Sequence, residues 1–448
     1  MIHLRSWCAA YATSVASATA VAQPCNPYWT KPGQFDGWSY YSPFVYDDGS
    51  GPALYARASN GYVESNPNYM IQVRRWRGQG WEPLVAGIGQ LGNIWYLLPL
   101  SDASGSWLYA NVGLHPSLLF RWASNPQRTR DFEWDGTRWK PARAGLYYFN
   151  ESNPQNSARP LVSFDDGNGA VIYGTTGVFS QTRVGRWDGQ SWTAIGHLEQ
   201  CLSYHMETLD WGLGPRLVVA GQFSGIDGRS LRGIAMWDGQ SWQAFGDGIL
   251  SGTVFDMEVF DSGQGKELYV AGYLAEAGSV QVRGLARWNG KAWSRVPGQN
   301  DEDMRYLAVF DDGSGPALYV SGLFFSIGSV PAVYLGKFDG TSWHAVEPGP
   351  KRMGPMAVFD DGRGPSLFLS GPGDVCCGGN PGPGLIQLVG CPNCYADCDN
   401  NHRLDVNDFV CFMTKYAQQD PYANCDVGAV VDPTDFACFM AKYAAGCP

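Results

Sequence analysis

"FDDGSGPALYVSG" (Phe310 to Gly322), followed after a short gap by "KFDGTSW" (Lys337 to Trp343), decides the fold, because the chain writes both phrases again and again. The first returns as "VYDDGSGPALYA" from Val45, "SFDDGNGAVIYG" from Ser163, "TLDWGLGPRLVVAG" from Thr208, "VFDSGQGKELYVAG" from Val259 and "VFDDGRGPSLFLSG" from Val358. A degraded copy, "LSDASGSWLYAN", starts at Leu100, so seven copies exist. The second phrase returns as "RWRGQGW" (Arg75), "EWDGTRW" (Glu133), "RWDGQSW" (Arg186), "MWDGQSW" (Met236) and "RWNGKAW" (Arg287), which with Lys337 makes six. Each phrase is a β-hairpin pattern: Val, Leu, Tyr and Trp runs flank an Asp-Gly turn able to take positive φ. Two hairpins make a four-stranded unit. Repetition of such units at a period of roughly 50 residues is the mark of a β-propeller, whose blades bury their faces only against one another.

Seven first halves against six second halves leave one blade short. "LIQLVGC" (Leu385 to Cys391) supplies a third strand, and no Trp-bearing fourth strand follows it. The N-terminal region can supply that strand. Trp29 precedes Asp47 by the same interval that separates Trp192 from Asp210 and Trp293 from Asp311. The expectation is an all-β seven-bladed ring over residues 25–391, closed by the strand around Trp29, which would remove an open sheet edge. Cys25 and Cys391 flank the two strands and are expected to seal the closure as a disulfide.

Composition agrees with turn-rich β structure: 57 Gly and 28 Pro accompany 18 Trp, 23 Tyr and 21 Phe, with 16% charged residues. A formal charge of −11 excludes a nucleic-acid partner, which needs a basic stripe to replace phosphate counterions. Residues 1–22, ending in "AVA", read as a signal peptide cut after Ala22. No other segment is apolar enough to insert in a membrane. Of 12 cysteines, seven lie between Cys391 and Cys447, a density that fits disulfides in an oxidising, extracellular compartment.

The repeat architecture resembles WD-repeat and kelch-type propellers, and the phrases themselves are similar to tandem repeats of large secreted bacterial proteins. That resemblance implies a fold and is nearly silent on activity. An Asp that recurs in every blade is a turn former, since a catalytic pair is needed once. A Trp that recurs is inter-blade packing, with a sugar-binding platform as the alternative. Departures from the repeat are better places to look. Residues 140–160 form the longest insertion and carry Tyr147, Tyr148, Phe149 and Glu151. "LEQCLSYHMETLDW" gathers Cys201, His205 and Glu207, with His205 able to serve as a base, and "GQNDEDMRY" gathers Asp301, Glu302 and Asp303, a possible cation site. No Ser/His/Asp set, Walker loop or HExxH helix appears, so no catalytic residue is assigned.

After Cys391 the character changes: "ADCDNNHRLDVNDFVCFMTKYAQ" from Ala396 is answered by "ANCDVGAVVDPTDFACFMAKYAA" from Ala423. In the first, Asp397, Asp399, Asn401, Asp405 and Asp408 stand at the side-chain ligand positions of an EF-hand-like loop, and Arg403 offers a carbonyl. In the second, Asn424, Asp426, Asp432 and Asp435 remain, Val430 offers the carbonyl, and Gly428 and Ala429 stand where a ligand and the usual glycine would be. Hard oxygen donors at this spacing suit Ca²⁺. Phe409, Phe412, Met413 and Tyr416, repeated by Phe436, Phe439, Met440 and Tyr443, have the helical spacing of two helices sharing a core.

A duplicated calcium loop followed by a helix resembles the dockerin domain, over residues 392–448. The resemblance implies calcium-dependent docking to a cohesin-like or cell-surface protein. It gives two functional expectations: a secreted binding or scaffold protein with a glycan or protein ligand on the propeller, or a dockerin-bearing polysaccharide-degrading enzyme.

Overall fold

A computed structural model describes residues 28–30, 39–59, 71–78, 80–84, 94–113, 129–142, 161–167, 169–176, 182–201, 203–299, 303–346, 350, 352–360, 364–370, 385–389, 398, 406–419, 423, 425 and 431–445. They divide into two units, Tyr28–Val389 and a smaller one holding the C-terminal helices.

The larger unit is a seven-bladed propeller. Each blade is an antiparallel sheet in which the first phrase makes strands one and two and the second makes strands three and four. Blade 5 shows the plan: Ile249–Asp261, Lys266–Ala277, Leu285–Trp288 and Trp293–Arg295 lie side by side in that order. The first strands of neighbouring blades lie against one another, which puts them around the ring's interior. In blade 7 the order is Met356–Asp360, Pro365–Ser370, Leu385–Val389 and then Tyr28–Thr30. Trp29 stands opposite Leu388, so the last blade takes its outer strand from the start of the chain. Cys25 and Cys391 lie outside the described residues.

The repeated residues have structural employment. In the first turn, Asp311 Oδ1 accepts the backbone N–H groups of Gly313 at 2.8 Å and Gly315 at 3.0 Å, and both glycines hold positive φ (97° and 105°). Asp165, with Gly167 and Gly169, repeats this at 2.9 and 3.0 Å. The second aspartate binds inward: Asp312 accepts from Tyr319 Oη at 2.7 Å and Lys337 Nζ at 2.6 Å, and Asp166 from Tyr173 at 3.0 Å and Arg186 at 2.7 Å.

The Trp residues hold blades together. Trp242, Trp293 and Trp343 donate their indole N–H to carbonyls of the preceding blade, Ile195, Phe245 and Pro297, at 2.8, 2.7 and 2.9 Å. These rings are 4–7% exposed, so they offer no sugar platform. Seven apolar clusters each span two consecutive blades; the one containing Tyr40, Leu54, Phe359 and Phe368 joins the seventh to the first.

The C-terminal unit contains α1 (Val406–Ala417) and α2 (Pro433–Ala445). Phe412 and Phe439, both fully buried, stack at 3.9 Å between ring centres, and Phe409 meets Phe436 edge-on at 6.3 Å. Met413, expected in this core, is 36% exposed. One disulfide closes each repeat, Cys398 to Cys411 and Cys425 to Cys438. Such staples offset the small area a two-helix core can bury. They fit an oxidising environment. No helix among the described residues is long and apolar enough to cross a membrane.

Candidate functional site on blades four to six

His205 and Glu207 lie on the first strand of blade 4 (Ser203–Leu209), with side chains alternating around Met206, which is buried in the packing between blades 3 and 4. Asp256 and Glu258 hold the matching places on the first strand of blade 5, and Arg305 and Tyr306 follow on that of blade 6 (Asp303–Asp311). His205 Nε2 is 3.4 Å from Glu207 Oε2 and 4.0 Å from Asp256 Oδ1. Donor atoms of the three residues all lie within 4.8 Å of one another.

Asp256 is fixed from two sides. Its Oδ2 accepts the Leu307 backbone N–H at 2.8 Å, across the blade boundary, and its Oδ1 that of Met257 at 2.9 Å. The side chains of His205, Glu207 and Asp256 are 36, 40 and 22% exposed, which leaves Asp256 the most enclosed of the three. Burial consequently pushes the Asp256 carboxyl up to about 7 even though His205 opposes the shift, and Glu207 adds to it. Burial pushes Glu258 up to about 8, with Glu207 and then Asp256 adding repulsion. For His205 burial acts downward, and the hydrogen bond to Glu207 with the charge of Asp256 overcomes it, raising the imidazole pKa. Among the described residues, no lysine or arginine forms an ion pair with Glu207, Asp256 or Glu258.

Beside this cluster, at the end of the blades away from the Asp-Gly turns, is an open surface. The connection after the second strand of blade 4 and the start of blade 5 enclose a cleft of about 790 Å³ lined by Glu199, Gln222, Arg229, Arg232 and Gly252. Thr253, which donates to Gln222 Oε1 at 3.2 Å, pairs across the sheet with Tyr273. The Tyr273 hydroxyl is 3.2 Å from Asp303 Oδ2 and hydrogen-bonded to Arg305. Arg305 also grips Asp303 at 2.7 Å and lies 5.3 Å over the Tyr273 ring. Leu323 is opposite Asp303 in register, and Phe325 follows two residues on. Tyr273, Leu323 and Phe325 are 52, 48 and 74% exposed.

Of the loop residues expected to act, Cys201 is buried in the packing between blades 3 and 4, and Asp303 is held by Arg305 and Tyr273. Residues 143–160, Asp301 and Glu302 lie outside the described residues, as do the loop positions Asp397, Asp399, Asn401, Arg403, Asp405, Asn424, Asp426 and Val430. Three loop carboxylates are described. Asp408 and Asp435, at the last ligand position of each repeat, are fully buried in the first turns of α1 and α2. Asp432 caps α2: its Oδ1 accepts the Thr434 N–H at 2.8 Å, while Asp435 Oδ2 accepts the Asp432 N–H at 2.8 Å.

Asp256, Glu258 and Arg305 were not singled out from sequence, although a pattern marks the first two. When the repeats are aligned on the turn aspartate, the place five residues earlier holds His205, Asp256 and Tyr306 in blades 4 to 6, against Ser42, Leu97 and Pro355 elsewhere. Three residues earlier stand Glu207 and Glu258, against Phe44, Pro99, Val162 and Ala357.

No protein-family model matches the chain, and no curated protein matches it. Solved structures do. A protein of unknown function from Dyadobacter fermentans is 10% identical, with 80% of this chain and 96% of that one covered and a TM-score of 0.40. The β-propeller domain of the Trilobed protease from Pyrococcus furiosus, described as having an open velcro topology, is 11% identical over 76% and 92%, at 0.40. Trypanosoma rangeli sialidase is 12% identical over 68% of this chain and 57% of its own, at 0.37. Likenesses this distant carry no argument about activity.

Proposed function

We propose that the protein is an exported binding and scaffold protein: its propeller takes a glycan on blades 4 to 6, and its dockerin-like C-terminal module anchors it in a calcium-dependent way. The observation that carries the first half is the contrast between repeated and unrepeated residues. The repeated aspartates and tryptophans are consumed by turns and blade packing, while Tyr273 stays exposed beside a fixed Arg305 to Asp303 pair and Phe325 stays exposed two residues beyond Leu323, the register partner of Asp303. Aromatic faces pack on the C–H faces of pyranose rings, and an Arg–carboxylate pair supplies donors and acceptors to neighbouring hydroxyls. The adjoining cleft, about 790 Å³, is of the size that holds a small ligand or a few sugar units.

For the second half, Asp397, Asp399, Asn401, Arg403 (carbonyl), Asp405 and Asp408 would hold one Ca²⁺, and Asn424, Asp426, Val430 (carbonyl), Asp432 and Asp435 a second. The donor set is all oxygen, which suits the ion. The support is position: Asp408 and Asp435 stand fully buried at the last ligand place of each loop, in the first turn of the helix that follows. Bound calcium would tie each loop to the first turn of its helix and present the helices to a cohesin-like or cell-surface partner.

A glycan array with the whole chain tests the propeller reading. Tyr273→Ala and Phe325→Ala are each expected to weaken binding about ten-fold, the loss of one stacking contact of roughly 1–1.5 kcal/mol. Unchanged binding in both folded variants, or no glycan bound by the wild type, refutes it. A polysaccharide-degrading enzyme is the second reading, favoured by carboxylates grouped on adjacent inner strands. Release of new reducing ends from a polysaccharide, abolished by Glu207→Ala, would establish it in place of the first.

A further inference from the structure

We propose that His205, Glu207 and Asp256 form a binding site for one divalent transition-metal ion of the Zn²⁺ or Mn²⁺ class, inside the ring and separate from the calcium loops. Three protein ligands at about 2.0–2.2 Å around a tetrahedral centre stand about 3.4 Å from one another. His205 Nε2 already stands 3.4 Å from Glu207 Oε2 and 4.0 Å from Asp256 Oδ1, and the donor atoms of all three lie within 4.8 Å of one another, so side-chain shifts on the order of one ångström make the set. With one donor atom from each residue this close, the three surround a single point.

Charge and rigidity point the same way. Glu207, Asp256 and Glu258 gather on neighbouring inner strands with one imidazole and no lysine or arginine ion-paired to them among the described residues. A divalent cation would relieve that repulsion at full occupancy of its ligands. The Asp256 carboxylate is oriented beforehand by the Leu307 and Met257 backbone N–H groups, the outer support that ligating carboxylates usually have. An imidazole with two carboxylates suits first-row transition ions such as Zn²⁺ and Mn²⁺ better than Ca²⁺, which prefers six to eight oxygens. Three protein ligands leave at least one position open to water or to a ligand hydroxyl.

The test is Co²⁺ titration of the whole chain in excess Ca²⁺, which keeps the C-terminal loops filled. One equivalent with visible d–d absorption is expected, competed away by Zn²⁺. His205→Gln and Asp256→Asn should each weaken it at least about ten-fold, whereas Asp408→Asn with Asp435→Asn should leave it intact. Absence of uptake by the wild type overturns the site, as does uptake that persists in folded His205→Gln and Asp256→Asn proteins. Should a variant lose its far-UV circular dichroism, the wild type decides: pulsed EPR of its Cu²⁺ form must show one coordinated imidazole nitrogen, and no nitrogen coupling refutes the proposal.

Discussion

Replacing Asp312 by Ala should destabilise the propeller by about 3–5 kcal/mol, more than the same change at Asp166 of blade 3. The side chains of Asp312 and Lys337 are only 11% and 10% exposed, so removing the carboxylate strands a buried ammonium. It also unpairs the Tyr319 hydroxyl, whose ring is fully buried. In blade 3 the equivalent cation, Arg186, is 28% exposed and can turn to water, so Asp166→Ala should cost only about 1–2 kcal/mol. Adding Lys337→Met and Tyr319→Phe to Asp312→Ala removes the stranded groups and should recover at least about 2 kcal/mol. Urea unfolding followed by Trp fluorescence, compared through midpoints at constant slope, measures all of these. The pH dependence has a definite sign. Burial raises the Asp312 pKa, but Lys337, Tyr319 and Ser314 outweigh it and hold the carboxyl below the usual range. A depressed carboxylate contributes its stability above the unfolded-state pKa of about 3.9 and loses it as pH falls through the folded value, so the gap between wild type and Asp312→Ala must narrow in acid. The reasoning fails if Asp312→Ala costs no more than Asp166→Ala, or if the triple variant is as unstable as the single one.

Trp293→Phe keeps an aromatic ring and removes one of the two hydrogen bonds on the Phe245 carbonyl, which still accepts the Gly248 N–H at 3.0 Å, so it should cost about 0.5–1.5 kcal/mol in the same unfolding assay. Calcium should raise the melting temperature of the C-terminal unit in differential scanning calorimetry of the whole chain. At a hundredfold excess over Kd the gain is about 2.7 kcal/mol, and Asp397→Ala with Asp408→Ala should remove most of it. Phe412→Ala removes one partner of the fully buried 3.9 Å stack and should cost about 3–5 kcal/mol, abolishing the helical signal of the tail.

The fold was legible because propeller blades solve the same packing problem seven times, and each solution leaves the same letters in the sequence. The turn aspartates, their glycines and the Trp stacks therefore announce both hairpins of a blade before any coordinates are known. Even the borrowed outer strand could be located, because the interval from Trp29 to Asp47 matches a complete blade, and Trp29 pairs with Leu388. Pairing of the C-terminal cysteines was not legible. Six cysteines permit fifteen arrangements, and only folding the two repeats showed that each closes on itself.

The cluster on blades 4 to 6 was half legible, and the reason is physical. His205 and Glu207 are neighbours in sequence, whereas Asp256 reaches them only because successive inner strands come side by side around the ring. Repetition hides such a site and also allows it. Since each blade interface has its own apolar cluster, with Val254 and Met257 serving between blades 4 and 5, the positions between those core residues are free to vary without loss of the ring. Asp256 and Glu258 take two such positions at the cost of desolvating carboxylates, which the Leu307 N–H, donated to Asp256 across the blade boundary, offsets only in part. A propeller selected for stability alone would keep the Phe44, Pro99 and Val162 solution throughout. The concentration of titratable groups on two adjacent inner strands, with exposed aromatics on blades 5 and 6, is the departure from the repeat on which the proposed ligand site rests.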